Sequence, residues 1–133
     1  MPTEVTYDYA IIRVVPRVER GEQVNVGVIL SCVDAEFLES RIDVDAARLR
    51  ALDPTLDLEA VRAGLSLYPA VCAGGAAAGP IGALPPRERF RWLVSPRSTV
   101  IQASAVHTGR SADPSATLQR LFDCLVRPIV DGA

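Results

Sequence analysis

Lysine is missing from this chain: its fourteen basic residues are all arginine. A coding bias toward Arg, Ala and Val is sufficient to explain that, yet it leaves only planar, forked cations, which suit bidentate contact with carboxylate or phosphate. Aromatics are scarce at 5%, so any core must be built from Val, Leu, Ile and Ala. The three cysteines, Cys32, Cys72 and Cys124, show no CxxC spacing, and each lies in an apolar pattern. That excludes a disulfide framework and reads as buried thiols in a reducing compartment. With one His, scattered cysteines and no paired-carboxylate motif, no metal site is expected. No cofactor is expected either, because the Gly-rich segments lack a GxxxxGK[ST] or strand–GxGxxG–helix context. No GxSxG elbow supports a serine hydrolase. No apolar run approaches membrane-spanning length, and MPTEVTYDYA lacks a charged-then-apolar signal pattern, so a cytoplasmic protein is expected.

What is present is enough for one globular domain. The 133 residues are 49% hydrophobic and 23% charged, a balance that argues against disorder and allows about two-thirds of the unfolded surface to be buried. The net charge is −2 and unevenly spread. Residues 87–110 hold five Arg against Glu88, a net +4, while residues 1–86 sum to −5. This basic segment contains the only Trp, Trp92, and the only His, His107. An acidic total disfavours a nucleic-acid coating role, which needs a broad phosphate-neutralising surface.

Read in order, residues 6–15 (TYDYAIIRVV) form a strand with Tyr7, Tyr9, Ile11 and Arg13 on one face and Asp8, Ala10, Ile12 and Val14 on the other. The charged turn 17–22 leads to a second strand over 23–33, with Val24, Val26, Val28 and Leu30 sharing a face. Gly27 within it marks a bulge or a close backbone approach. A third strand, Phe37–Ile42, completes a meander. Asp43 or Asp45 caps a short helix that stops at Asp53-Pro54, and Asp57 caps another carrying Leu58, Val61, Leu65, Tyr68 and Cys72. Residues 73–86, rich in Gly, Ala and Pro, read as a flexible loop. Pro85-Pro86 opens a helix with Phe90, Leu93 and Val94, and Thr99–His107 is a fourth strand closed by Thr108-Gly109. Asp113-Pro114 opens the last helix, with Leu118, Leu121, Phe122, Leu125, Val126 and Ile129 on one stripe. The expected fold is therefore α+β: an antiparallel meander of three to four strands, with three to four helices packed mainly on one face.

Tyr7-Asp8-Tyr9 running into IIRVVPRVERGE, then VNVGVIL, then ERFRWLVSPRSTVIQASAVHTG and Asp113-Pro114 together resemble the bacterial family catalogued as domain of unknown function 3037. The resemblance covers most of residues 6–127 and implies a small cytoplasmic protein, in a family often encoded beside a HipA-like kinase-fold protein. It assigns no activity and no catalytic residue, but the neighbourhood implies a protein partner.

The basic segment admits three readings. Arg89 and Arg91 can pair with the acids of residues 34–59 as ordinary ion pairs. Arg13, Arg97 and His107 can converge on a small anionic ligand, with Ser98 and Thr99 adding donors. Or Arg89, Arg91 and Trp92 anchor a protein interface. His107 is a proton-transfer candidate by residue type, and equally a turn residue. The expected function is a non-enzymatic cytosolic interaction module acting with a protein partner. The alternative is an anion-binding domain or small enzyme acting on a phosphorylated or carboxylated metabolite. Homo-oligomerisation is left open.

Overall fold

The first strand carries the sheet. In the computed structural model, which describes residues 3–130, β1 (Val5–Val14) is paired along both edges. On one side lies β2 (Val24–Cys32), followed by β3 (Phe37–Ile42), all antiparallel. On the other side the chain returns as β4 (Ile101–Ala103) beside Ile12–Val14 and as β5 (His107–Ser111) beside Val5–Tyr9. The sheet thus has five strands and remains open.

Both neighbours of β1 contain an irregularity at the level of Ile11–Arg13. In β2 the register passes from Ile12↔Gly27 to Arg13↔Asn25, so Val26 is an extra residue. Gly27 fits the reading of a bulge beside a close backbone approach: a Cβ there would sit 2.7 Å from the Arg41 carbonyl oxygen. The bulge splits the apolar set expected on one face of β2. Val24 and Val26 join the first core, while Val28 and Leu30 join the second. On the far side, Ser104 interrupts the expected fourth strand. Its Oγ accepts from the Ile11 N–H at 2.8 Å, and its own N–H donates to the Ile11 carbonyl at 2.8 Å. A side chain here does the work of a backbone carbonyl, the register slips by one residue between Ile12↔Ala103 and Tyr9↔His107, and the facing reverses. Ile101 and Ala103 pack on the first core, whereas His107 comes beside Tyr9. The strand also continues through Thr108 and Gly109 to Ser111, so these two residues are not the closing turn the sequence suggests. Gly109 is needed because the Tyr7 ring lies over it, its hydroxyl 2.5 Å from where a Cβ would stand.

Among the described residues, four of the five α-helices cover one face. These are α1 (Ala46–Leu52), α2 (Leu58–Leu65), α3 (Leu67–Ala73) and α4 (Pro86–Val94). They bury Leu49, Leu58, Val61, Leu65, Tyr68, Val71, Phe90 and Leu93 against Ala10, Ile12, Val14 and Ile29. Asp45 and Asp57 cap α1 and α2, accepting from the Arg48 and Ala60 N–H groups at 3.1 Å. The helix read across Leu58–Cys72 is broken at Ser66, because Pro69 has no N–H to give and fits only in the first turn of a new helix, α3. The remaining helix, α5 (Pro114–Leu125), lies on the opposite face. It packs Leu118, Leu121 and Phe122 against Tyr7, Val28, Leu30 and Cys32. Asp113 caps α5 as its sequence predicts. Ile129, expected on the same stripe, lies past the helix end and is 98% exposed. Cys124 is exposed, unlike Cys32 and Cys72, because it falls off the apolar stripe. The segment expected as a loop over 73–86 instead winds through 3-10 turns over Ala76–Ala83, kinked at Gly79, with Ala78 and Ile81 packed on the first core.

Candidate functional site

A polar cluster forms where the helical layer stops short of one end of the sheet. Asp8 stands on the helix-covered face of β1, beside Ser31 on β2 and Thr108 on β5. Pro85-Pro86 opens α4 and sets Arg87 in its first turn, directed at this end. The Arg87 guanidinium pairs with Asp8 at 2.7 Å and reaches the Ser31 hydroxyl at 3.5 Å. Thr108 donates its hydroxyl to the other Asp8 oxygen at 2.6 Å. The guanidinium carbon also lies 5.2 Å from the centre of the Phe90 ring. Both carboxylate oxygens and much of the cation are therefore engaged within the protein.

Two hollows meet at this pair. One, of about 240 Å³, is lined by Thr6, Asp8, Ser31, Val33, Asp34 and Arg87. The other, of about 580 Å³, is lined by Cys32, Glu36, Phe37, Pro85 and Pro86, and shares Ser31, Val33 and Arg87 with the first. Together they make a groove with an apolar floor and an acidic rim at Asp34 and Glu36. Val33 is 59% exposed there, held out by the single 3-10 turn Val33–Ala35 that ends on Glu36 in the left-handed conformation. Chemically the groove offers apolar contact and carboxylates. The Ser31 hydroxyl faces a guanidinium, which cannot take its proton, and the Cys32 thiol donates away to the Thr6 carbonyl at 3.4 Å.

The residues singled out from sequence are dispersed. Arg97 donates to the Trp92 carbonyl at 2.8 Å and lies 4.6 Å over the Trp92 ring, so it is held on the helical face. Arg13 is on the α5 face, donating to the Asn25 side chain at 3.3 Å, while Asn25 in turn donates to the Leu125 carbonyl at the end of α5. His107 is exposed on that face against Tyr9, ring centres 5.2 Å apart. The bulge at Ser104 is the physical reason that Arg97 and His107 separate, since it turns β5 over relative to β4. Arg13, Arg97 and His107 therefore do not meet. Ser98 is exposed, and Thr99 is tied into its own turn through the Ile101 carbonyl at 2.7 Å. Thr99 also borders an apolar hollow of about 370 Å³ with Leu56, Ala60 and Val61.

Arg89 forms no ion pair among the described residues. It is buried and donates to the carbonyls of Val71 at 2.6 Å, Cys72 at 2.8 Å and Leu84 at 2.9 Å, satisfying the C-terminal end of α3. Arg91 is exposed, and among the described residues neither Arg89 nor Arg91 pairs with a carboxylate. Trp92 is half-buried under Arg97. Burial pushes the Cys72 thiol up to about 11, which keeps it protonated. Among the described residues no cluster of three or more His, Cys, Asp or Glu is placed to hold a metal, and no helix is long and apolar enough to cross a membrane. The Asp8–Arg87 pair escaped the sequence reading. Its one local signal was a lone acid within an apolar strand, and its partner lies 79 positions away along the chain.

Neither a curated protein nor a solved structure matches this chain. The sequence model of a family described as protein of unknown function (DUF3037) matches residues 9–126, a span that takes in the sheet from Tyr9 onward, α4 with Arg87, and α5. The chain belongs to that family.

Proposed function

We propose that this protein is a non-enzymatic interaction module that holds a partner protein in the groove beside Arg87, in a cytoplasmic setting. The observation that carries this reading is Val33, a β-branched apolar side chain 59% exposed at the centre of two joined hollows. Phe37, Pro85 and Pro86 extend that floor, and Asp34 and Glu36 edge it with negative charge. An apolar centre with a charged rim is the anatomy of a protein interface. The partner segment it suits brings an apolar anchor flanked by basic residues. The Asp8–Arg87 pair ties the start of α4 to β1, so the groove is formed before the partner arrives and little ordering is required of it.

The kinase-fold partner implied by the family resemblance is the first to test. Tagged protein at native level, purified from its own host, is expected to bring that partner down in stoichiometric amount. Val33→Asp, at an exposed position, is expected to weaken the complex about tenfold or more, as truncating a buried interface anchor does. Absence of any stoichiometric partner, or a complex indifferent to Val33→Asp, overturns the reading.

A further inference from the structure

We propose that two copies of this chain join edge to edge through β3, making one continuous sheet across a twofold axis at Ser40. β3 is the outer strand and, among the described residues, pairs only with β2. The Asp43 N–H donates to the Val26 carbonyl at 2.8 Å, so by alternation Phe37, Glu39 and Arg41 turn their backbone groups inward to β2. Leu38, Ser40 and Ile42 turn theirs outward. Among the described residues no backbone group bonds these outward groups; the Ser40 carbonyl has only the Arg41 side chain, at 3.4 Å. An edge of this length with no proline and no bulge is a template for another strand.

The sequence FLESRI is complementary to itself in the antiparallel sense. With Ser40 opposite Ser40 of a second copy, Leu38 falls opposite Ile42 and Glu39 opposite Arg41, twice by symmetry. The outward residues then become the hydrogen-bonded pairs, supplying about six interchain hydrogen bonds. Glu39 and Arg41 fall at the closer, non-hydrogen-bonded positions, where opposite charges attract and like charges repel. Within one chain the two pair loosely at 3.5 Å, and Arg41 donates to the Gln119 side chain of α5 at 3.4 Å, on the face away from α3; their side chains are 49% and 36% accessible, so they can exchange these contacts for the pairs across the axis. The helix beside the edge points to the same occupant. α3, reading LYPAVCA, has no charged residue. Its exposed Pro69 and Ala73, with Cys72, border a hollow of about 300 Å³ that runs along Leu38–Arg41. A second copy fills that hollow with its own strand edge and sets α3 against α3.

The test is the mass of the full chain in solution by sedimentation or light scattering, at about 100 µM, where even a weak dimer populates. The expected result is twice the 14.3 kDa of one chain. Arg41→Glu places Glu opposite Glu and is expected to weaken the dimer about tenfold across its two symmetric pairs. Adding Glu39→Arg in the same chain restores alternating charge and is expected to restore the dimer. Ser40→Pro removes an outward N–H and is expected to give monomer. Should that variant misfold by circular dichroism, the charge reversal and its rescue decide the matter. A monomeric wild type overturns the proposal, as does a dimer unmoved by Arg41→Glu or not rescued by the double change. Val33, the probe of the partner groove, lies outside the strand, so failure here leaves that reading standing and the converse holds.

Discussion

Two residues show how polar groups are used inside this small protein. Arg89, from the basic segment, is consumed by three backbone carbonyls, and only an arginine fork matches that set. Gly74, at φ +75°, makes room for it, since a Cβ there would stand 2.9 Å from the guanidinium. Asp53 is the second. It stops α1 and accepts from the Thr55 hydroxyl at 2.7 Å and the Thr55 N–H at 2.9 Å, with Arg17 at 3.1 Å. The hydrogen bonds from Thr55, with a smaller contribution from the Arg17 charge, hold its carboxyl below the ordinary carboxylate range. A carboxyl lowered on folding adds stability that is present above the unfolded value, about 3.9, and lost as pH falls through the folded one. Asp53→Asn is therefore expected to be less stable than wild type near neutrality, with the gap closing below about pH 4. Denaturant midpoints measured across that range check it, and a gap constant with pH contradicts it.

At the scale of elements, the bulges decide which side chains work together. Strict alternation predicts Val24 to Leu30 on one face of β2, and the extra residue at Val26 divides them between two cores. Gly27 is the pivot because the Arg41 carbonyl, the Ile42 side chain and the Ile12 side chain all crowd the place of its missing Cβ. Gly27→Ala is expected to cost about 1–3 kcal/mol, the usual penalty for overpacking. Thermal unfolding should show a lower midpoint, and an unchanged midpoint refutes the close approach. The slip at Ser104 has the larger consequence for the site, because it places His107 on the side opposite Arg97. The capped helix starts at Asp45, Asp57 and Asp113 were legible from sequence, since each depends on a side chain and N–H groups within three residues.

At the scale of the molecule, β1 and β2 form the wall between two cores, one under α1–α4 and one under α5. Neither core closes without that shared wall, so the two are expected to unfold together. Leu118→Ala, in the α5 core where Leu118 is fully buried, is expected to cost about 2–5 kcal/mol. Trp92 fluorescence reports the other core, and its transition should fall by the same amount as that seen by circular dichroism. Two separated transitions contradict a shared wall. The charge asymmetry looks different at this scale. Of the basic segment, Arg89 and Arg97 are taken up by backbone carbonyls and Arg87 by Asp8, while Arg91 and Arg110 stay exposed, so the net +4 along the chain is dispersed in the fold and does not form one cationic surface.

The sequence by itself determined the α+β class, the three-stranded meander, the helix caps and the family, because each depends on periodicity, on capping within a turn, or on motifs read in order. It also contained every residue of the Arg87 groove, but nothing local joins Asp8 to Arg87 or Val33 to Pro85. Tertiary structure decided those unions, together with the fate of the predicted anion site. A one-residue bulge reverses every facing that follows it, and no period in the sequence records where the backbone spends that residue.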